Sequence, residues 1–170
     1  MKNSETVNLI QSADTGKKSV VEMSIFPGEK TPWHYHTLFS ETFEVLEGVL
    51  EVGKGREVLT LTVGNSATIG RNEKHYFHNI SAAECIVRTT LEPGNKNFEH
   101  SLLILKGLAA DGLASAAGAP RKFSDLVVFV YLSNSRMVGF QRVAEPVFDY
   151  FAQAAIRNGH LQKLIQKYCQ

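Results

Sequence analysis

Through the first 94 residues, apolar and polar positions alternate over short runs, and Gly, Pro and Asn interrupt the alternation at intervals. Residues 1–17 are polar apart from Val7–Ile10, which reads as a short edge strand. SVVEMSIFPG (19–28) reads as a strand ending at a turn. GEKTPWHYHTLFSETFEVLEG (28–48) continues in the same style, with aromatic or β-branched Trp33, Tyr35, Thr42, Phe43 and Val45. The Glu47–Gly48 pair splits SETFEVLEGVLEV into a hairpin. EVLTLTVGNSATIG gives two strands parted at Gly64–Asn65, KHYFHNIS and AECIVRTTLEP give the last two, and Pro93–Gly94 closes the series. Eight or nine short strands, with turn signals every eight to twelve residues, predict an all-β sandwich or barrel.

The period then changes. Phe98, Leu102, Leu105 and Leu108 recur at helical spacing. ADGLASAAGAPR (110–121) is small and flexible, a hinge or loop. FSDLVVFVYL (123–132) fits a strand by content, but the Ser124–Asp125 opening favours a helix. Glu145–Asn158 reads as a helix with Pro146 at its first turn and Asn158–Gly159 as its stop. His160–Tyr168 reads as a last amphipathic helix.

The stretch 28–48 also carries chemistry. His34 and His36 lie two residues apart and on a strand share a face, with the Glu41 carboxylate further along and His75 as a third imidazole. Nitrogen and oxygen donors of this kind suit a divalent transition metal such as Fe, Mn, Ni, Co, Cu or Zn, and donor type alone does not select one. An isolated H-x-H on a strand is more often structural than a ligand pair. The bounding glycines shift that balance. Gly28, His34, His36, Glu41 and Gly48 fill every fixed position of G-x5-H-x-H-x3,4-E-x6-G, the last gap but one being four residues here. Gly64, His75 and Asn79 fit a second pattern, G-x5-P-x-G-x2-H-x3-N, with Gly70 in place of its proline and Asn72 in place of its glycine. Both are turn formers, and Asn tolerates positive φ.

In these two motifs the chain resembles the cupin family over residues 6–94. The resemblance implies a mainly β fold, the double-stranded β-helix or jelly-roll barrel, and one divalent metal (Fe, Mn, Ni or Zn) held by His34, His36, Glu41 and His75. It also implies a homodimer, to which the sequence adds only edge strands that need cover. It names no reaction. The expected organisation is a barrel over residues 1–95, including the N-terminal edge strand. A helical C-terminal extension over 96–170 would pack on the barrel or on a partner subunit.

Several side chains fall around this set. Phe43 and Val45 share Glu41's face and Phe77 that of His75, so they are candidate pocket wall and core together. An apolar wall favours a small, partly apolar ligand. Arg88 in CIVRTT is a candidate anchor for a substrate carboxylate or phosphate if it points inward; the competing position is the outer barrel face. His78 is expected to face away from His75, and His100 and His160 to be solvated on their helices. Trp33 and Tyr35 face away from the histidines, toward packing or a subunit interface. Glu41 is by default an ionised ligand, since a nearby dication lowers a carboxyl pKa, and off the metal it becomes a candidate general base.

Composition adds mainly exclusions. With 170 residues, 44% of them hydrophobic and 21% charged, the chain can bury a sizeable core. The net charge of +1 gives no reason to expect nucleic acid or a membrane surface as partner. MKNSETVNLIQSAD has no apolar core of a signal peptide, and the longest apolar run, Leu126–Leu132, is too short to span a bilayer. Cys85 reads as a buried thiol and Cys169 lies near the end; a disulfide stays open, and a reduced cytoplasmic protein is the expectation. Three function classes follow. The first is a dioxygenase-type oxidoreductase acting on a small enolisable or flavonol-like molecule, with Glu41 catalytic. The second is a metal-assisted isomerase, epimerase, decarboxylase or lyase. The third is a non-catalytic module that binds a small molecule.

Overall fold

A computed structural model describes residues 7–115 and 118–169. The first six residues, Ala116 and Ala117 in the small-residue stretch, and Gln170 lie outside the described residues. Nine strands follow in order: β1 (Val7–Gln11), β2 (Ser19–Ile25), β3 (His34–Tyr35), β4 (Ser40–Glu47), β5 (Val49–Lys54), β6 (Glu57–Thr62), β7 (Ser66–Ile69), β8 (His75–His78) and β9 (Cys85–Glu92). Four helices come next, α1 (Lys96–Ala110), α2 (Phe123–Leu132), α3 (Glu145–Arg157) and α4 (His160–Tyr168). Between α2 and α3 run a tenth strand, β10 (Arg136–Met137), and a 3-10 helix, Gly139–Ala144.

The strands form two five-stranded antiparallel sheets, ordered β1-β2-β9-β4-β7 and β10-β3-β8-β5-β6. Alternation decides which face is buried. Along β4, Glu41, Phe43 and Val45 are buried and their neighbours are not; along β9 the buried set is Cys85, Val87, Thr89 and Leu91. Of these inward residues, Phe43, Val45, Cys85 and Val87 join Ile25, Leu50, Val52, Leu61, Ala67 and Ile69 in one core. Burying each large side chain contributes roughly 1.5–3 kcal/mol. Gly48 makes the β4–β5 turn at φ +82, and a Cβ there would sit 2.9 Å from the Glu84 carbonyl oxygen. A glycine is therefore required on both conformational and steric grounds.

The helices have a smaller core of Ile104, Leu108, Val128, Leu132 and Leu164. The segment 123–132 is helical, as its opening favours, although no side chain caps it; Val127, Val128 and Leu132 are its buried face. Asn95 caps α1 by accepting from the Phe98 amide, and Gly159 ends the run before α4 at φ +73. Contacts at the start of α1 tie helices to barrel. Phe98 packs with Phe39 and Leu91. The buried Glu99 carboxylate accepts from Ser12 Oγ, the Ala13 amide and Ser19 Oγ at 2.8, 2.7 and 2.6 Å.

Two readings need correction here. β3 is only two residues long, so Trp33 and residues 36–39 are not strand. His100 and His160 are half-buried rather than solvated. His160 Nε2 lies 2.6 Å from the Oδ1 of the buried Asp125, a partner brought from another helix and invisible to local polarity.

Candidate metal centre

The site lies between the two sheets. His34 on β3 is the direct cross-strand partner of His75 on β8. His36 follows β3 immediately, and its carbonyl accepts from the Asn72 amide at 2.7 Å. Glu41 comes from β4 in the facing sheet. The left-handed turn that leads to His75 survives the loss of the motif glycine, since Asn72 takes φ +63 there.

Donor atoms of His34, His36 and His75 lie within 4.8 Å of one another. Glu41 Oε2 stands 3.1 Å from His75 Nε2 and 3.5 Å from His36 Nε2. His36, His75 and Glu41 are buried, and His34 is half-buried.

The outer nitrogens fix the tautomers. His34 Nδ1 is 2.8 Å from the Pro32 carbonyl, His36 Nδ1 3.2 Å from the Asn134 carbonyl, and His75 Nδ1 3.2 Å from the Glu73 carbonyl. A carbonyl only accepts, so each Nδ1 carries the proton and donates. In the neutral ring each Nε2 then keeps a lone pair. For His36 and His75, those lone pairs face a carboxylate oxygen. Lone pairs facing one another repel unless a cation or shared proton sits among them, so the donor set fits a divalent metal.

Charge follows the same logic. Burial pushes the His34 imidazole down to about 3, with repulsion from His75 and His36 adding to it, so the ring is neutral at physiological pH. Burial alone would raise the Glu41 carboxyl, but a proton shared with the Nε2 of His36 or His75 stabilises the carboxylate and holds that carboxyl far below the usual range. A neutral His34 imidazole and an ionised Glu41 carboxylate are the protonation states that metal ligation needs.

The structure sorts the other candidates. Phe43 lies beneath the site, its ring centroid 6.1 Å from that of His75 and 5.9 Å from that of Phe77. Val45 is fully buried in the barrel core. Arg88 is not brought to the site. It is on the outward face of β9, in register with Glu22 and Glu44, and donates to both at 2.8 and 3.1 Å. The pocket role for Arg88 is therefore corrected to an outer-face ion-pair residue. His78 pairs with Glu51 at 3.7 Å, and Trp33 packs edge-on against Tyr76.

Three residues at the site were not singled out from sequence. Phe39 stacks on His36 at 4.8 Å, and Phe98 meets His36 edge-on at 6.0 Å. Asn134, left-handed at φ +53, gives its carbonyl to His36 while its side-chain oxygen accepts from the Thr37 amide, the Thr37 hydroxyl and the Leu38 amide. Phe39 sits inside the first motif and was findable there. Phe98 and Asn134 arrive through tertiary packing alone.

A family model described as the cupin domain matches residues 21–94, which span both motifs. Residues 21–94 are a cupin domain. KdgF from Halomonas sp. is similar in structure, with a TM-score of 0.51 at 16% identity, over 55% of this chain and 83% of that one. A protein with a double-stranded β-helix domain from Klebsiella pneumoniae subsp. pneumoniae aligns at 23% identity and TM-score 0.47, over 56% and 82% of the two chains. A predicted oxalate decarboxylase from Thermotoga maritima aligns at 16% identity and TM-score 0.48, over 51% and 78%. At these identities the likeness is one of fold. No curated protein matches the chain. Among the described residues, no helix is long and apolar enough to cross a membrane.

Proposed function

We propose that this cupin protein is a metal-dependent oxidoreductase of the dioxygenase type, acting on a small enolisable or flavonol-like molecule. His34, His36, His75 and Glu41 would hold one divalent transition metal, Fe, Mn, Ni or Zn. The observation that carries this reading is the convergence of three imidazoles whose Nδ1 protons are all committed to backbone carbonyls. When bound, a redox-active ion there supplies Lewis-acid and electron-transfer chemistry toward substrate and dioxygen.

The chain's own residues supply the rest. The imidazoles act as neutral donors, and Glu41 offsets the ion's charge. Off the metal, Glu41 Oε2 would take a proton from an enolisable carbon. Phe39, Phe43 and Phe98 surround His36 and His75 and exclude water, which favours an apolar substrate body. Addition of both atoms of dioxygen to the substrate needs no external reductant.

Oxygen uptake by Fe- or Mn-reconstituted protein, with a panel of enols, diketones and flavonols, tests the proposal. Substrate-dependent uptake that is lost in His75→Ala and Glu41→Ala is expected. Silence across metals and substrates contradicts it, and oxygen-independent turnover with Zn moves the reading to an isomerase, decarboxylase or lyase.

The proposal includes a cytoplasmic homodimer. Support for the location is that Cys85 and Cys169 are both free thiols. Support for pairing is the apolar face of the 3-10 helix and α3, where Phe140 is 86% exposed and Val143 81%, beside Val147 and Tyr150. Light scattering checks it, and a monomer mass contradicts it.

A further inference from the structure

We infer a second ligand site, for a small oxyanion, in a cleft outside the histidine cluster. The cleft measures about 480 Å³ and is lined by Tyr35, Asn72, Lys74, Val138, Gly139 and Arg142. None of the three imidazoles lines it, and neither does Glu41. Pairing of β10 with β3, Arg136 opposite Tyr35, brings its parts together. Tyr35 comes from β3, Asn72 and Lys74 from the turn before β8, and the rest from the segment after β10.

The chemistry of the lining points to the ligand class. Two cations stand in this cleft with no carboxylate among the lining residues. Neither Lys74 nor Arg142 has an ion pair or hydrogen bond to its side chain among the described residues, and the Tyr35 hydroxyl and Asn72 carboxamide are likewise free. Cations close by are not: Lys54 pairs with Glu73 and Arg136 with Asp149. Four polar side chains, from three segments, thus face one concavity with their hydrogen-bonding capacity unspent. A guanidinium binds carboxylate or phosphate through two parallel hydrogen bonds, and an ammonium adds a point charge. A concave wall focuses the field of both. The volume matches that of small-molecule sites, roughly 300–1,000 Å³. The ligand is therefore a small molecule carrying a phosphate or carboxylate group.

Calorimetric titration of chelator-treated, metal-free protein at pH 8 and fixed ionic strength tests the site independently of the metal. Inorganic phosphate and succinate are the probes. Saturable binding of at least one is expected, weakened tenfold or more in Lys74→Ala/Arg142→Ala, a few-fold in Tyr35→Phe, and unchanged in His34→Ala. Preference for phosphate identifies a phosphorylated ligand and preference for succinate a carboxylate. Absence of saturable binding by either probe overturns the inference, as does equal affinity in the double variant or loss of binding in His34→Ala. If the double variant does not fold, Arg142→Gln and Lys74→Met taken singly carry the test, with threefold weakening or more expected in each.

Discussion

The barrel and the helical segment contribute to the site in different ways. The barrel supplies all four candidate ligands, and each lies in a motif whose spacing is local. The helices supply none, yet they hold what the barrel presents. Asn134 lies 98 residues beyond His36 and fixes its outer nitrogen, while Phe98 closes over its ring. Ligand identity can be written in a short stretch of sequence because alternation on a strand aims side chains without help. Ligand orientation depends on a second layer of contacts, and that layer comes from wherever the chain returns.

Replacing interior residues sets the largest effect. Phe43→Ala, under His75 in the barrel core, is expected to lower unfolding stability by about 3–5 kcal/mol. Leu132→Ala in the helical core is expected to cost about 2–5 kcal/mol. Denaturant melts followed by far-UV circular dichroism compare the two. If Leu132→Ala lowers one of two separate transitions while leaving the other in place, the helices fold apart from the barrel, and the coupling described here through Phe98 and Glu99 is too weak.

Asn134→Ala sharpens the division of labour between ligand and positioning residue. The variant keeps all four ligands and the backbone carbonyl that meets His36, but loses the side-chain oxygen that holds Thr37 and Leu38, and is expected to lose about tenfold in metal affinity, the low end of the cost of disturbing an outer partner. Competition against a chelating dye reads it, and wild-type affinity in a folded Asn134→Ala protein would leave the Asn134 side chain no part in positioning His36.

Glu99→Gln probes the other tie between the regions. Burial opposes ionisation of Glu99, but hydrogen bonds from Ser19, Ala13 and Ser12 and the charge of Lys96 outweigh it and lower its carboxyl below the ordinary 4.5. A depressed folded-state value means that its contribution is complete above 4.5 and fades as pH falls through the folded value. Glu99→Gln is expected to cost about 1–3 kcal/mol at pH 7, with a gap from wild type that narrows in acid. A pH-independent gap would rule out the charged form as the stabilising one. The smallest effect belongs to Arg88→Ala, which is expected to leave metal content unchanged; lost metal would put that side chain at the site after all.

Much of the barrel was legible because a half-buried strand alternates and its turns need particular residues. Gly48 is an example, since no other residue fits its φ and its neighbours. The ambiguous 123–132 segment declared itself a helix only through packing: Val128 and Leu132 face Ile104 and Leu108. β10 left no trace, because a two-residue strand has no period to detect. Asn134 was invisible for the same reason, its role being set by chain geometry rather than by its neighbours in sequence. Arg88 was ambiguous in a β-strand until Glu22 and Glu44 in adjacent strands showed which face was outward. His160 read as solvated because its partner, Asp125, lies 35 residues away.

The most direct test of the metal centre is the metal content of wild type and His34→Ala, each reconstituted with Fe, Mn, Ni or Zn and desalted. Close to one metal per chain is expected for at least one of these ions in wild type, and little in the folded variant. Equal content in both, or none in wild type with any of the four, would contradict it.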